Sequence, residues 1–422
     1  MHTLDIKKII FWGICAAAMF AAFLYYEDLE LSGFAILLLL LLICGVFANS
    51  IREDASERKA GFSVSETDKG TDISARDPSY DILRILAALC VVASHVFQTD
   101  TGIMAPEEQS RLLLFMGFAT LVCNPIYVML SGALLLRWKE ESPGTFYRRR
   151  LLKIVLPLIV CYTFYLWENR IICDMPLSEA LLLIFGNLIS GKTPETPYYW
   201  LIFTIISLYI AFPFIRYMLR DLPYNLLRKL SLLSILMMGA ASYLPVLLGG
   251  SAINSFLGSW MGIALLGYFL SRKETRAYDP FIIGIGAIAL LLMGGALVFG
   301  LDYMTLCTGT TPVMTLFAMG IMALVLRLPK IREPHVLRVL AFISRHSYGI
   351  ILIHWWVIFW PVKRHFGLGT APLSGTVCLF ITAVTFLISL LGAFGIDRLI
   401  IYPTERFLES VRKSLHKLHI KA

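Results

Sequence analysis

Charge is scarce in this chain. Only 16% of its 422 residues are Asp, Glu, Lys or Arg, where a soluble domain carries about a quarter. That shortage excludes a disordered segment, which needs charge to stay solvated, and an ordinary cytosolic globule. Informative cysteine patterns are also missing. None of the eight cysteines stands in a CxxC or Cys/His spacing, so nothing suggests a metal. Cys15, Cys44, Cys90, Cys123, Cys161 and Cys378 fall inside apolar runs. Cys173 and Cys307 fall in loops expected outside, where a disulfide between them is an option.

Apolar residues are what the chain has in excess: 58% of it, with a mean hydropathy of +0.73. Apolar runs lie at about 9–26, 33–49, 80–97, 113–136, 151–167, 199–219, 229–248, 253–270, 280–300, 311–326, 346–361 and 376–396. A helical span needs about 20 such residues. Continuous apolarity at this length fits membrane helices and not strands. The pattern predicts an all-α, polytopic bundle of about twelve spans. A further run, Leu177–Ser190, is short for a span and reads as an interfacial or re-entrant helix.

The basic residues orient the chain. With the N-terminus inside, 32 of the 37 lie in or beside inner segments; only Arg111, Arg170, Lys192, Lys363 and Arg364 lie outside. This asymmetry is the positive-inside pattern. It predicts a multi-pass protein of the cell (plasma) membrane with both termini cytoplasmic, and it explains the net charge of +8 without any nucleic-acid partner. Lys7 and Lys8 before an apolar run resemble a signal peptide, but a second span follows and no small-residue cleavage site precedes Glu27. An uncleaved anchor is expected. Four segments result: a two-span hairpin (1–49), a polar, mixed-charge cytoplasmic linker (50–78), a ten-helix core (79–400) and a basic cytoplasmic tail (401–422).

Two glycine motifs carry no chemistry. Residues 186–193, GNLISGKT, match GxxxxGK[ST]. A phosphate loop needs a strand before it and a helix after it. Here a short apolar run precedes it, and Pro194 and Pro197 follow. A Gly-rich turn leaving a surface helix is the expectation. The small-residue strip at 284–289 reads as a helix-packing face.

Ionisable side chains inside spans are costly and point to function. The 80–97 run holds Asp81, Arg84 and His95. Asp81 and Arg84 are three apart and can share a face. Arg84 and His95 are eleven apart, which is about 20° beyond three full turns, so they share a face about 16 Å apart along the axis. Arg84 is then near the cytoplasmic surface and His95 deep, toward the outer half. An interfacial anchor and a packed histidine are the plain alternatives. A shared cavity would make His95 a general base. His354 sits mid-span among aromatic residues. Asn124, Tyr127 and Ser131 form a polar strip on one face, suited to a pocket or to helix packing. Arg148, Arg149, Arg150 and Lys153 crowd an inner end, placed there by topology or by an anionic ligand. Asp302 and Asp397 read as boundary residues.

Together these residues resemble acyltransferase family 3, integral membrane O-acyltransferases with a ten-helix core. The resemblance covers about 79–400. It rests on Arg84-x10-His95 after Tyr80-Asp81, on Ser131-Gly132-Ala133-Leu134 and on Arg150-Leu151-Leu152-Lys153. Tyr199-Trp200-Leu201 with Leu208-Tyr209, and Ser347-Tyr348-Gly349 through His354, extend it. The chain departs from the family pattern at Ala133 (Phe in relatives), at Lys153 (Arg, which has a planar fork), at Tyr199 and in its two extra N-terminal spans. The resemblance implies transfer of an acyl group, usually acetyl, from cytoplasmic acyl-CoA to a hydroxyl of an extracytoplasmic or lipid-linked glycan or cell-envelope acceptor. It casts His95, Arg84 and Asp81 as catalytic and Arg150, Lys153 and Arg149 as acyl-CoA-binding. Ser131, Tyr127, Asn124, Trp200 and His354 become candidate pocket residues. No bound cofactor is implied, since acyl-CoA is a substrate. No SGNH-type esterase domain follows residue 400, so the acceptor must reach the membrane core or meet a separate extracytoplasmic partner protein. The competing class is a transporter or flippase for a lipid-linked or small anionic solute; internal repeats would favour it, and none is evident.

The charge asymmetry makes a direct prediction. Cysteine probes placed at 60–70 and after 410 should be shielded from an impermeant thiol reagent, and a probe near 192 should react. Labelling of the 60–70 segment from outside would overturn the orientation.

Overall fold

The computed structural model describes residues 77–97, 111–248, 255–364, 374–404 and 406. The two expected N-terminal spans, nearly all of the linker and most of the tail lie outside the described residues. Among those described, the structure is helical and without strands. In hydrocarbon every backbone N–H and C=O must be satisfied within its own segment, and helices do this.

The ten core runs all fall in helices; that at 113–136 divides into two, and two short helices lie between runs. In chain order these are α1 (Ser79–Phe97), α2 (Arg111–Thr120) with α3 (Cys123–Leu135), α4 (Pro143–Glu168), the short α5 (Leu177–Ser190), α6 (Trp200–Met218) and α7 (Tyr224–Leu248). After them come α8 (Trp260–Leu270), α9 (Asp279–Val298), the one-turn α10 (Tyr303–Cys307), α11 (Pro312–Arg327), α12 (Pro334–Val357) and α13 (Gly375–Ile396). Eight helical stretches among the described residues are long and apolar enough to cross a membrane. Two expected spans are shorter: α8 has 11 residues and α11 has 16. At 1.5 Å per residue α8 is about 16 Å long, against a hydrocarbon core of about 30 Å. Asp77–Ser389 forms one compact unit. From Leu390 the chain belongs to a second unit, whose described part ends α13 and adds a π-helical turn, Asp397–Ile401.

Helix starts follow local chemistry. Ser142 Oγ accepts from Thr145 N–H (3.3 Å) ahead of Pro143. Thr311 Oγ1 accepts from Met314 N–H (3.4 Å) ahead of Pro312. Both pairs put a side-chain acceptor at the cap and a proline where its missing N–H costs nothing. Asp302 caps α10; the Thr305 hydroxyl and N–H hold its carboxyl below the ordinary carboxylate range. α5 ends at Gly191, whose φ of +68° is a conformation glycine adopts freely. The GNLISGKT segment is therefore the end of a helix and its terminating turn, with no strand before it. Cys173 and Cys307 are both free, so the disulfide considered between them does not form.

Glycine sets the closest contacts. Lipid tails are as apolar as leucine, so helices in a membrane associate through close packing of small residues. α8 is buried from Met261 to Leu270. It meets α3 at two such points: a Cβ on Gly132 would lie 1.9 Å from the Ala264 carbonyl oxygen, and one on Gly267 would lie 2.0 Å from that of Met129. α9 and α11 touch at Gly286 and Gly320, where a Cβ would come within 2.7–2.8 Å of the facing Cα. The strip at 284–289 is thus a packing face through Gly286, while Gly284 meets nothing within 4 Å.

These spaces predict opposite outcomes for one added methyl. Gly132→Ala and Gly267→Ala should each destabilise the protein by about 1–3 kcal/mol or more through overpacking. Gly284→Ala should stay within about 0.5 kcal/mol of the parent. Thermal unfolding in detergent reads the difference, and equal midpoints for the three variants would refute the packing assignment.

Candidate active site

α1 presents polar groups at both ends, and α12 answers each of them. At the first end Asp81 is only 3% exposed. A carboxylate so buried needs partners. The Ser344 hydroxyl on α12 donates to Asp81 Oδ1 (2.6 Å), and its oxygen accepts from Arg84 Nη1 (3.0 Å). Arg84 and Asp81 also form an ion pair at 3.9 Å, with the arginine side chain 28% exposed. Arg84 is therefore held by a buried acid through a serine, and part of its side chain stays exposed. Sequence spacing pairs Asp81 with Arg84; Ser344, 260 positions away, carries no linear signal.

At the other end His95 stands in a cluster of rings. His354 of α12 lies 5.2 Å from it, Trp355 5.0 Å and Tyr198 6.0 Å, centre to centre. His354 is fully buried. Its Nδ1 lies 2.8 Å from the Ile351 carbonyl and 3.3 Å from that of Ile350. A carbonyl only accepts, so Nδ1 carries the proton and Nε2 keeps its lone pair. That Nε2 is buried and has no hydrogen-bond partner among the described residues.

Three phenols shape the turn that carries His354. Trp356 N–H donates to the Tyr165 hydroxyl (3.0 Å), which donates to the Leu352 carbonyl (3.2 Å). Tyr199 donates to the same carbonyl (3.2 Å). The Tyr198 hydroxyl lies 2.7 Å from the Tyr165 oxygen and 3.0 Å from that carbonyl, and can donate to either. Three phenols thus gather on one turn of α12. Just beyond it the chain turns π-helical over Ile358–Arg364, around Pro361. The pair Tyr198-Tyr199 is brought here by a 3-10 turn, Pro197–Tyr199, that starts α6.

The remaining predicted residues divide. Tyr127 donates to the Arg84 carbonyl (3.4 Å). Ser131 donates to the Tyr127 carbonyl (3.0 Å) and lies 3.4 Å from the Tyr209 hydroxyl. Asn124 Oδ1 accepts from the neighbouring Cys123 thiol at 3.6 Å. This strip joins α3 to α1 and α6 by hydrogen bonds. Trp200, expected in the pocket, is 43% exposed and packs on Trp260 at 5.4 Å. Tyr198 and Tyr199 occupy the inner position instead.

The basic cluster divides as well. Arg149 pairs with Glu141 (3.2 Å), which also meets Arg216 (3.4 Å). Arg216 in turn donates to the Leu135 carbonyl through two nitrogens, at 2.7 and 2.9 Å. Arg149 is thereby tied into a structural bridge between α3, α4 and α6. Arg148 and Lys153 are exposed. Arg150 has a buried Nε with no partner among the described residues. Tyr348 of α12 donates to the Ile154 carbonyl of α4 (2.9 Å). One turn earlier on these two helices stand Arg150 and Ser344, the latter bonded to Arg84.

The family model described as an acyltransferase domain, that of acyltransferase family 3, matches residues 77–392. The match covers most of the chain, which belongs to this family of acyltransferases. No curated protein and no solved structure matches the chain.

Tyr165 offers a clean test of this phenol cluster. Tyr165→Phe leaves the ring in place but strips a donor from Leu352 and an acceptor from Trp356. It should cost about 1–3 kcal/mol of stability, read as a lower thermal midpoint in detergent. A midpoint equal to the parent's would show that the hydroxyl does not hold this turn.

Proposed function

We propose that this chain transfers an acyl group, acetyl being the usual one in such a family, from cytoplasmic acyl-CoA to a hydroxyl of an extracytoplasmic or lipid-linked glycan or cell-envelope acceptor. The observation that carries the reading is the pair of imidazoles, His95 and His354, 5.2 Å apart within a ring cluster. An anchored cation, Arg84, stands about 16 Å away along α1. Family membership supports acyl transfer. The spacing supports a donor that enters at Arg84 and reacts at His95.

At the entrance the donor's phosphates would meet Arg84, Arg150 and Lys153, as charge-assisted hydrogen bonds favour. Asp81, acting through Ser344, positions Arg84 and touches no substrate. The pantetheine arm runs along α1. At the far end the acceptor hydroxyl gives its proton to an imidazole nitrogen as its oxygen bonds to the thioester carbonyl carbon. The carbon–sulfur bond then breaks, and the CoA sulfur leaves with the proton the imidazolium returns. In a second route a His95 nitrogen bonds the acyl carbon first as the carbon–sulfur bond breaks and CoA leaves as thiolate; the acceptor oxygen then displaces the imidazole, and its proton passes to the thiolate. Both routes pass through His95. His354 serves either one as a neighbouring base whose available nitrogen is Nε2. No resident cofactor takes part. A separate extracytoplasmic protein would present acceptors that do not reach the membrane core.

Activity on purified protein tests the reading through release of CoA from acetyl-CoA. His95→Gln keeps size and hydrogen bonding but cannot act as a base near neutral pH. It should lower turnover by about 10²–10⁴-fold while the protein inserts and purifies normally. Near-parental turnover would remove His95 from both routes and leave His354 as the leading candidate. Arg150→Ala with Lys153→Ala should raise the KM for acyl-CoA about tenfold with kcat little changed, as expected for groups that only bind. An unchanged KM would return these cations to a purely topological role.

A further inference from the structure

A second polar feature stands at the Arg84 end of the bundle and is not used by this chemistry. A cavity of about 350 Å³ opens where α9 begins, α11 ends and α1 starts. That volume lies at the lower end of small-molecule pockets, about 300–1,000 Å³. Its lining includes Arg276, Arg327 and Lys330, with Asp279 as the one carboxylate among the lining residues. Asp279 is buried and loosely paired with Arg327, Nε to Oδ2 at 3.9 Å. Among the described residues the side chains of Arg276 and Lys330 make no hydrogen bond or close ion pair, though Arg276 adds its field to that of Arg327 on Asp279. The lining therefore holds three cations against one carboxylate.

Its surroundings say what kind of anion it suits. The cavity lies at the ends of α9 and α11, where apolar spans give way to polar loops. Leu326 and Leu328 line it beside the cations, and Leu328 is 43% exposed. A charged wall continuous with an exposed apolar one fits a molecule with an anionic head and an apolar tail. The Gly286–Gly320 contact fixes the distance between the two helices that form it. Basic pockets between membrane helices on the cytoplasmic side suit phosphate headgroups. Charge asymmetry puts this end in the cytoplasmic leaflet, where anionic lipids concentrate.

We propose that this cavity binds the phosphate headgroup of an anionic membrane lipid. The same chemistry would accept the phosphate of a soluble nucleotide, so the test separates the two. The full-length protein is placed in nanodiscs of phosphatidylcholine, and binding of labelled phosphatidylglycerol is measured by titration. Arg276→Gln with Lys330→Gln should weaken phosphatidylglycerol binding about tenfold. Arg220→Gln with Lys229→Gln, a charge-matched change elsewhere on the inner side, should alter it less than twofold. Asp279→Asn removes the opposing charge and should tighten binding severalfold. Saturating CoA should leave the bound lipid in place. Equal affinities for the parent and the first double variant would overturn the proposal, as would an equal loss in the control pair. Unchanged binding in Asp279→Asn would overturn it too. Displacement by CoA would assign the cavity to a soluble nucleotide instead. No readout depends on acyl transfer, so failure of the enzymatic reading would leave this result standing.

Discussion

The packing of α1 against α12 is the contact on which the candidate site depends. Ser344 bonds both Asp81 and Arg84 at one end. His354 and Trp355 close around His95 at the other. Removing α12 would leave Asp81 as a buried carboxylate stripped of its hydroxyl donor, an arrangement that costs several kcal/mol in an apolar setting. It would also leave His95 without the second imidazole. One helix pair therefore fixes both the cationic entrance and the histidine cluster, with the length of α1 setting the distance between them.

Around this pair the fold answers a constant problem, that of satisfying polar groups where water is scarce. It uses side-chain hydroxyls for much of the work. Tyr165, Tyr198 and Tyr199 bond to the α12 turn at Leu352 and Trp356. Tyr127 reaches the Arg84 carbonyl, and Tyr348 reaches that of Ile154. Several buried polar atoms still have no hydrogen-bond partner among the described residues, Arg150 Nε and the Thr385 and Ser389 hydroxyls included. The Nε2 of His354 is one of them, and its place beside His95 makes it a proton acceptor in the proposed chemistry.

Helix proximity is solved differently, by omission of side chains. α8 has only 11 residues, and it fits inside the bundle because Gly132 and Gly267 let the α3 and α8 backbones touch. Ser131 and Gly132 thus do separate jobs on adjacent positions: the glycine admits α8, and the serine reaches toward Tyr209 on α6. The apparent phosphate loop has a similar explanation, since Gly191 only ends a helix.

The amino-acid sequence by itself determined the helical class, the positions of the ten core helices and the alignment of Arg84 with His95. These follow from composition and from the fixed 100° step of an α-helix, which are local properties. It also exposed Asp81 beside Arg84, three residues away. Only the tertiary structure decided which helix faces α1, and so which residues complete the site. Ser344, Tyr165 and Tyr198 look like ordinary polar residues of apolar helices until α12, α4 and α6 bring them to Asp81 and His95. Trp200 stood in a motif yet is 43% exposed, while Tyr198 and Tyr199 of the 3-10 turn before it are buried. Arg149 belonged to a basic run yet is tied to Glu141. Periodicity places a side chain on a face of its own helix; what that face meets depends on packing between segments up to 263 positions apart, as with Asp81 and Ser344.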